Sequence, residues 1–400
     1  MLKYEKYLFY FLLLLALSII IIPKYYITGD GGSHVYNAKI LFDFVFNHER
    51  DFYKEFYTIN RAIDPNWMSH LSIGVFLQMF PPWLADKMFQ IMYVITFAFG
   101  FRYMITSIEK QNGFLSFLFF PFVFSLPFQQ GFYNYSFALA LLFFTVGFYI
   151  RVKDDFDNAL HQLILAVLLL VTAFSHGMPA IYVMMIISLI WLSDHYFYFF
   201  PINIKKIIYA LSQLTLVFLP SLFMILLFMA KRGFGTEPHA WSKTKKLIEF
   251  FKMWTSQSTR NAEIYPAVAC GILILIYLII LFFTRIKVNI SKRNTIGYVF
   301  IFMVFFTFIS YINCPHSIGG AGSIDIRLAF LPPLFLILYF ATKNWNDLSK
   351  RIFIIAAFMI STSFLIIRFP FVLKANNIGK EIMTADAVIP DKSIVLNLHF

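Results

Sequence analysis

The sequence predicts an all-α, polytopic membrane bundle of about eleven or twelve segments, and three observations carry that prediction. Of its 400 residues, 60% are hydrophobic, 20% aromatic and only 14% charged, where a soluble domain carries about a quarter charged residues. Apolar runs of the length that crosses a bilayer, about 18 residues or more, recur along the chain. The runs are continuous and lack a period of two, so a β-barrel is excluded.

The runs lie at about 7–23, 88–105, 113–127, 134–150, 160–175, 178–193, 207–229, 265–283, 295–312, 326–341 and 352–369. The first, "YLFYFLLLLALSIIIIP", follows Lys3 and Lys6 as a signal peptide would. It lacks a small-x-small cleavage site and reads as a retained span. A twelfth candidate, "WMSHLSIGVFLQMF" (Trp67 to Phe80), is short, contains His70 and Gln78, and runs into Pro81-Pro82. Proline cannot continue a helix smoothly, so this segment is expected to be re-entrant or interfacial.

Charge chooses the sides. With the N-terminus cytoplasmic and 67–80 not spanning, the inner loops collect Lys3, Lys6, Arg102, Lys110, Arg151, Lys153, Lys205 and Lys206, then the basic clusters of 285–293 and 343–351. The short outer loops 128–133, 176–177 and 313–323 hold no Lys or Arg, the asymmetry expected of a multi-pass inner-membrane protein. Loop 231–263, with seven Lys or Arg against three Glu, is the exception. Residues 1–369 then form one transmembrane domain with large outer loops at 24–66 and 231–263, and 370–400 a short outer tail. The net charge of +12 follows from the basic inner loops and calls for no nucleic acid. Cys270 and Cys314 are too few for a disulfide scaffold or a zinc site.

In this topology the unusual polar groups gather on the outer face. "TGDGGSHVYNAKIL" places Asp30 among three glycines and His34 one helical turn later, where both can face one cavity. A carboxylate there can serve as general base or metal ligand; the alternative is a plain helix N-cap. His176, in "FSHGMP", is a ligand contact or a turn histidine in water. Gln130 and Asn134, in "FQQGFYN", combine amides with aromatic rings, as a sugar subsite needs, or belong to an interfacial aromatic belt. Lys243 to Trp254 alternates lysines with Leu247, Ile248, Phe250 and Phe251, an amphipathic helix holding a lipid phosphate or anionic headgroups of membrane lipids. Glu237 and His239 lie just upstream of Lys243, and His316 sits in "NCPHSIGG". Arg327 offers a fork of donors matched to phosphate, or snorkels beside Asp325.

In this order the pieces resemble the GT-C superfamily of polytopic membrane glycosyltransferases, from Tyr7 to about Phe369. A first span is followed by "GDGGSHVYNAKIL", opening a large loop with a juxtamembrane helix. "IDPNWMSHLSIGVFL" is similar to the family's P-P-L approach to its second membrane segment, and "IRLAFLPPLFLIL" to its R-x-x-L-P span. The resemblance implies transfer of a hexose or pentose from a polyprenyl-phosphate donor to a glycan, lipid or protein acceptor. It implies Asp30 as catalytic carboxylate, with a divalent metal (Mg or Mn) as candidate cofactor, and Arg327 on the donor phosphate. His34, which matches a histidine common in uncharacterised relatives, joins Asp30 as a catalytic candidate. Two features differ from many members: Asp30 has no acidic neighbour, and only Val372 to Phe400 stands where a folded outer domain would be. A lipid-linked glycan flippase and a non-catalytic assembly partner are the alternatives. A flippase predicts polar groups at mid-depth, where these spans are mostly Phe, Leu, Ile and Val.

Overall fold

The computed structural model describes residues 4–46, 50–60, 62, 64–196, 204–232, 235–237, 241–254, 260–283, 292–318 and 322–384. Each expected apolar run forms a helical segment. The first run becomes α1 (Glu5–Ile21), and the polar segment after Pro23 leads into α2 (Gly31–Val45) and the single turn α3 (Arg50–Lys54). The doubtful segment 67–80 folds as α4 (Met68–Leu77). Ten residues reach about 15 Å, half of a hydrocarbon core, so α4 alone is too short to cross. It ends before the double proline, and Pro82 opens α5 (Pro82–Ile108), where the missing N–H costs no helical bond.

The run at 113–127 is not a straight helix. It forms a 3-10 helix (Lys110–Phe119) and then two single turns, α6 (Phe120–Val123) and α7 (Leu126–Gln129). Pro121 and Pro127 each sit in the first turn of their segment. Irregular backbone at membrane depth survives only where protein encloses it, and every residue from Asn112 to Phe128 is buried.

Long helices follow: α8 (Tyr133–Val152), α9 (Ala159–Ser175), α10 (Gly177–Tyr196) and α11 (Ile204–Arg232). The expected amphipathic helix is α12 (Lys243–Glu249), continued by a 3-10 turn to Trp254. It does not lie freely against an interface. Buried Lys246 donates to the Tyr311 and Cys314 carbonyls, and buried Trp254 donates its indole N–H to the Ala329 carbonyl. Next come α13 (Arg260–Phe283), α14 (Lys292–Asn313), α15 (Ile324–Ala329), α16 (Leu331–Ala341) and α17 (Asp347–Thr384). The last apolar run thus continues through Pro370 as helix to Thr384. The one strand pair among the described residues joins Thr236–Glu237 to Ser317–Ile318, antiparallel.

Among the described residues, nine helical segments are long and apolar enough to cross a membrane. The 17-residue helices α1 and α9 fall just below that length, at about 26 Å. The protein is an all-α membrane bundle.

Buried polar contacts fix the ends of the bundle. At one end the Arg102 guanidinium takes both oxygens of Glu5, at 2.6 and 3.0 Å, and Asn112 donates to the Ala341 and Lys343 carbonyls. At the other end Lys87 donates to the Ile21 and Pro23 carbonyls, so α1 and α5 run antiparallel. That second end also carries the start of α8, the α9–α10 corner and the start of α15. Between the ends lies a core dominated by phenylalanine rings, among them Phe97 stacked on Phe143 and edge-on to Phe119.

Candidate functional site

Gly29, Gly31 and Gly131 serve close packing. The Gly29 N–H donates to the Gln129 carbonyl at 2.8 Å, and the Asp30 N–H to the Gln130 carbonyl at 3.0 Å. Two backbones therefore cross in direct contact. A Cβ on Gly29 would stand 2.7 Å from the Gln130 oxygen. One on Gly131, whose φ is +84°, would stand 2.4 Å from the Asp30 nitrogen. Only residues without a side chain fit this crossing, which binds the 24–66 segment to "FQQGFYN".

Asp30 then occupies the N-cap position of α2, but its side chain makes no capping bond. Its carbonyl accepts the His34 N–H at 3.0 Å. The carboxylate is exposed, with no hydrogen bond or ion pair among the described residues. It is available for chemistry instead of being used by the helix.

His34 is held on three sides. Its Nε2 lies 2.9 Å from the Gly131 carbonyl, which can only accept, so Nε2 carries the proton. In the neutral ring Nδ1 is then an acceptor, and Ser69 Oγ and His70 Nε2 each lie 3.2 Å from it. The ring stacks on Tyr133 with centroids 5.0 Å apart. Asn134 holds this arrangement from below, accepting the Ser69 N–H at 2.7 Å and donating to the Asn66 carbonyl at 2.9 Å. Asn66, at φ +75°, in turn donates to the Ser175 carbonyl beside His176.

His176 caps α10: its Nδ1 accepts the Met178 N–H at 3.1 Å, so the neutral ring carries its proton on Nε2. Its ring meets Tyr135 edge-on, and the Tyr135 hydroxyl donates to the Arg327 carbonyl at 2.6 Å. The Arg327 guanidinium lies over the Phe132 ring at 4.6 Å. It forms no ion pair with Asp325, and its buried Nε has no hydrogen-bond partner among the described residues.

These groups line one cavity of about 540 Å³, with Asp30, His34, Asn134, His176 and Arg327 in its wall together with His70, Tyr133 and Arg232. Six chain segments separated by up to 297 residues, from Asp30 to Arg327, supply it. The other sequence candidates lie elsewhere. Gln130 contributes its backbone carbonyl to the crossing. Lys243 donates to Asn313 at 2.7 Å, and Glu237 sits in the short strand pair. His316 stands 3.9 Å from Asp325, and His239 lies outside the described residues. Lys243, Glu237 and His316 do not line the cavity. A metal at Asp30 finds no donor set: among the described residues, no three His, Cys, Asp or Glu side chains converge.

Sequence reading missed three parts of this site. His70 was visible only as a polar residue in a short apolar run. Arg232 was one cation in a basic loop, and its guanidinium stacks over Phe228 at 4.9 Å. Asp86 lies behind the cavity wall, where its carboxylate accepts from the Tyr133 hydroxyl at 2.9 Å and from Gln90 at 2.9 Å. The Tyr133 hydroxyl also meets Gln90 and Thr28, which makes Tyr133 the post on which His34 rests.

Their surroundings favour the neutral form of the three histidines. Burial lowers His34, against the opposing pull of the Gly131 carbonyl and the Asp30 charge. Burial and then the neighbouring His34 lower His70 to about 4, with the Asn66 carbonyl opposing. Burial and the Arg327 charge lower His176. The unfolded chain therefore binds more protons between about 4 and the ordinary histidine value of 6.5. Folded stability is accordingly expected to fall as pH drops through that window. Thermal unfolding in detergent at stepped pH checks this: His70→Gln should flatten the slope, and an unchanged slope contradicts the role of the pair.

No protein-family model matches the chain, and no curated protein or solved structure matches it either.

Proposed function

We propose that the protein is a membrane glycosyltransferase that moves a hexose or pentose from a polyprenyl-phosphate donor to a hydroxyl acceptor, working on the outer face of the membrane. The observation that carries this reading is a single cavity holding a carboxylate, Asp30, and an arginine, Arg327, neither of which has an ion-pair partner among the described residues. Sugar transfer from a lipid phosphate needs both: a base for the acceptor hydroxyl and a cation for the departing phosphate.

In this reading the Asp30 carboxylate takes the acceptor's hydroxyl proton as that oxygen attacks the anomeric carbon. The bond from that carbon to the phosphate oxygen breaks, and its electron pair leaves with the phosphate. Arg327 and Arg232 neutralise the phosphate, and the Nε2–H of His176 donates to a ligand oxygen. His34, with both ring nitrogens engaged by the protein, shapes the wall beside Asp30 and does not itself accept the proton.

The transport alternative calls for unsatisfied polar groups along the depth of the spans. Buried Lys87, Glu263 and Arg368 and half-buried Arg102 each have protein partners, and Ser136 Oγ, Ser221 Oγ and Thr362 Oγ1, buried in the described spans without one, are uncharged hydroxyls. Purified protein supplied with radiolabelled polyprenyl-phosphate hexoses and pentoses should transfer label to glycan or lipid acceptors. Arg327→Gln should raise the donor KM tenfold or more, since a charge-assisted hydrogen bond is worth about 1.5–3 kcal/mol. A full donor panel without transfer would remove the reading.

A further inference from the structure

Beside the main cavity lies a second pocket of about 190 Å³, and His70 stands in the walls of both. It lies between α2, the segment 57–60 and Trp67. Its volume is on the scale of one monosaccharide. Phe44, Tyr57 and Trp67 provide aromatic surface, and Asn37, Thr58 and Asn60 provide amides and a hydroxyl. No Asp, Glu, Lys or Arg lines it among the described residues.

This lining selects its ligand by exclusion. A charged group would lose its water and meet no counter-ion, and a hydrocarbon chain would leave the amides unpaired. A sugar ring suits both parts of the wall, since its C–H face packs on aromatic rings and its hydroxyls exchange hydrogen bonds with amides. Asn60 is already set in place: its Nδ2 donates to Asp64 at 2.9 Å and its Oδ1 accepts the Ala62 N–H at 3.0 Å. One N–H and one lone pair remain on that amide for a ligand. The side chains of Asn37 and Thr58 make no hydrogen bond among the described residues.

Position supplies the role. His70 contacts His34, one helical turn from Asp30, so the second pocket adjoins the carboxylate side of the main cavity. Both guanidinium groups belong to the wall of the main cavity alone. We propose that this second pocket is a subsite for one uncharged pyranose unit of the acceptor, which presents its neighbouring hydroxyl to Asp30. The role as acceptor rests on the transferase reading; binding of a neutral sugar does not.

The test uses the full-length protein in detergent and, as probes, the methyl glycosides of glucose, galactose, mannose and N-acetylglucosamine. Saturation-transfer NMR should detect at least one of them. The Asn37→Leu/Thr58→Val variant, altered only at exposed side chains, should weaken that binding tenfold or more. Methyl glucuronide, which is charged, should bind no better than the neutral glycosides. With an active donor, the same variant should raise the acceptor KM tenfold and leave the donor KM unchanged. Absence of binding by every neutral glycoside, equal binding by the variant, or preference for the glucuronide would each overturn the subsite. Glycoside binding that the variant loses, in a protein inactive with every donor, would uphold the sugar site and sink the transferase reading instead.

Discussion

Asp30→Asn is expected to lower sugar transfer by roughly 10²–10⁴-fold, the usual contribution of a positioned general base, and to leave the melting temperature unchanged. The two halves of that result come from the same fact. The Asp30 carboxylate forms no cap, and no ion pair among the described residues, so its charge is not expected to hold the fold. The backbone of Asp30 is held by the Gln130 and His34 contacts, which an asparagine keeps. The amide fills the same space and cannot accept the acceptor's proton. Initial rates with saturating donor, measured beside thermal unfolding of the same preparation, check both halves. Retained activity would sink the catalytic role, and a fall in stability equal to the loss of activity would make Asp30 structural.

The second large effect concerns stability. The Arg368 guanidinium grips Glu263 through two hydrogen bonds of 2.6 and 2.8 Å, and the side chains are 2% and 0% exposed. The pair ties α13 to α17 and lies against Phe124, whose ring packs on Tyr26. Tyr26 in turn accepts from Gln129, next to the crossing that holds Asp30. Arg368→Met alone removes the guanidinium that compensates the buried Glu263 carboxylate, and breaking such a pair costs about 3–5 kcal/mol. Folded yield and melting temperature in detergent should both drop sharply. Adding Glu263→Leu should restore most of the loss, because two apolar side chains carry no buried charge. A double variant as unstable as the single one would show that the pair acts through something other than charge compensation.

How much was legible from sequence differs by element. The spans were readable because hydrocarbon length is a local requirement, written into each run without reference to any other. Asp30, His34, His176, Asn134 and Arg327 stood out because polar groups at the ends of apolar runs are expensive unless used. Local pattern misjudged backbone detail. The run at 113–127 reads as one more span, and its prolines become turns only because neighbouring helices enclose them. The lysines of 243–252 read as a membrane-facing stripe, yet Lys246 turns inward to backbone carbonyls. Glu263 and Arg368 are 105 residues apart, and no spacing rule joins them.

The sequence by itself determined that the chain is a helical membrane bundle and where its helices run, because burying backbone in hydrocarbon leaves a segment no other choice. It also marked which polar residues needed an explanation. Only the tertiary structure decided which of them share a cavity, since that depends on which helix ends meet. It also decided what the glycines do. They allow two backbones to cross at hydrogen-bond distance, and the crossing sets an unspent carboxylate in the same cavity wall as two arginines.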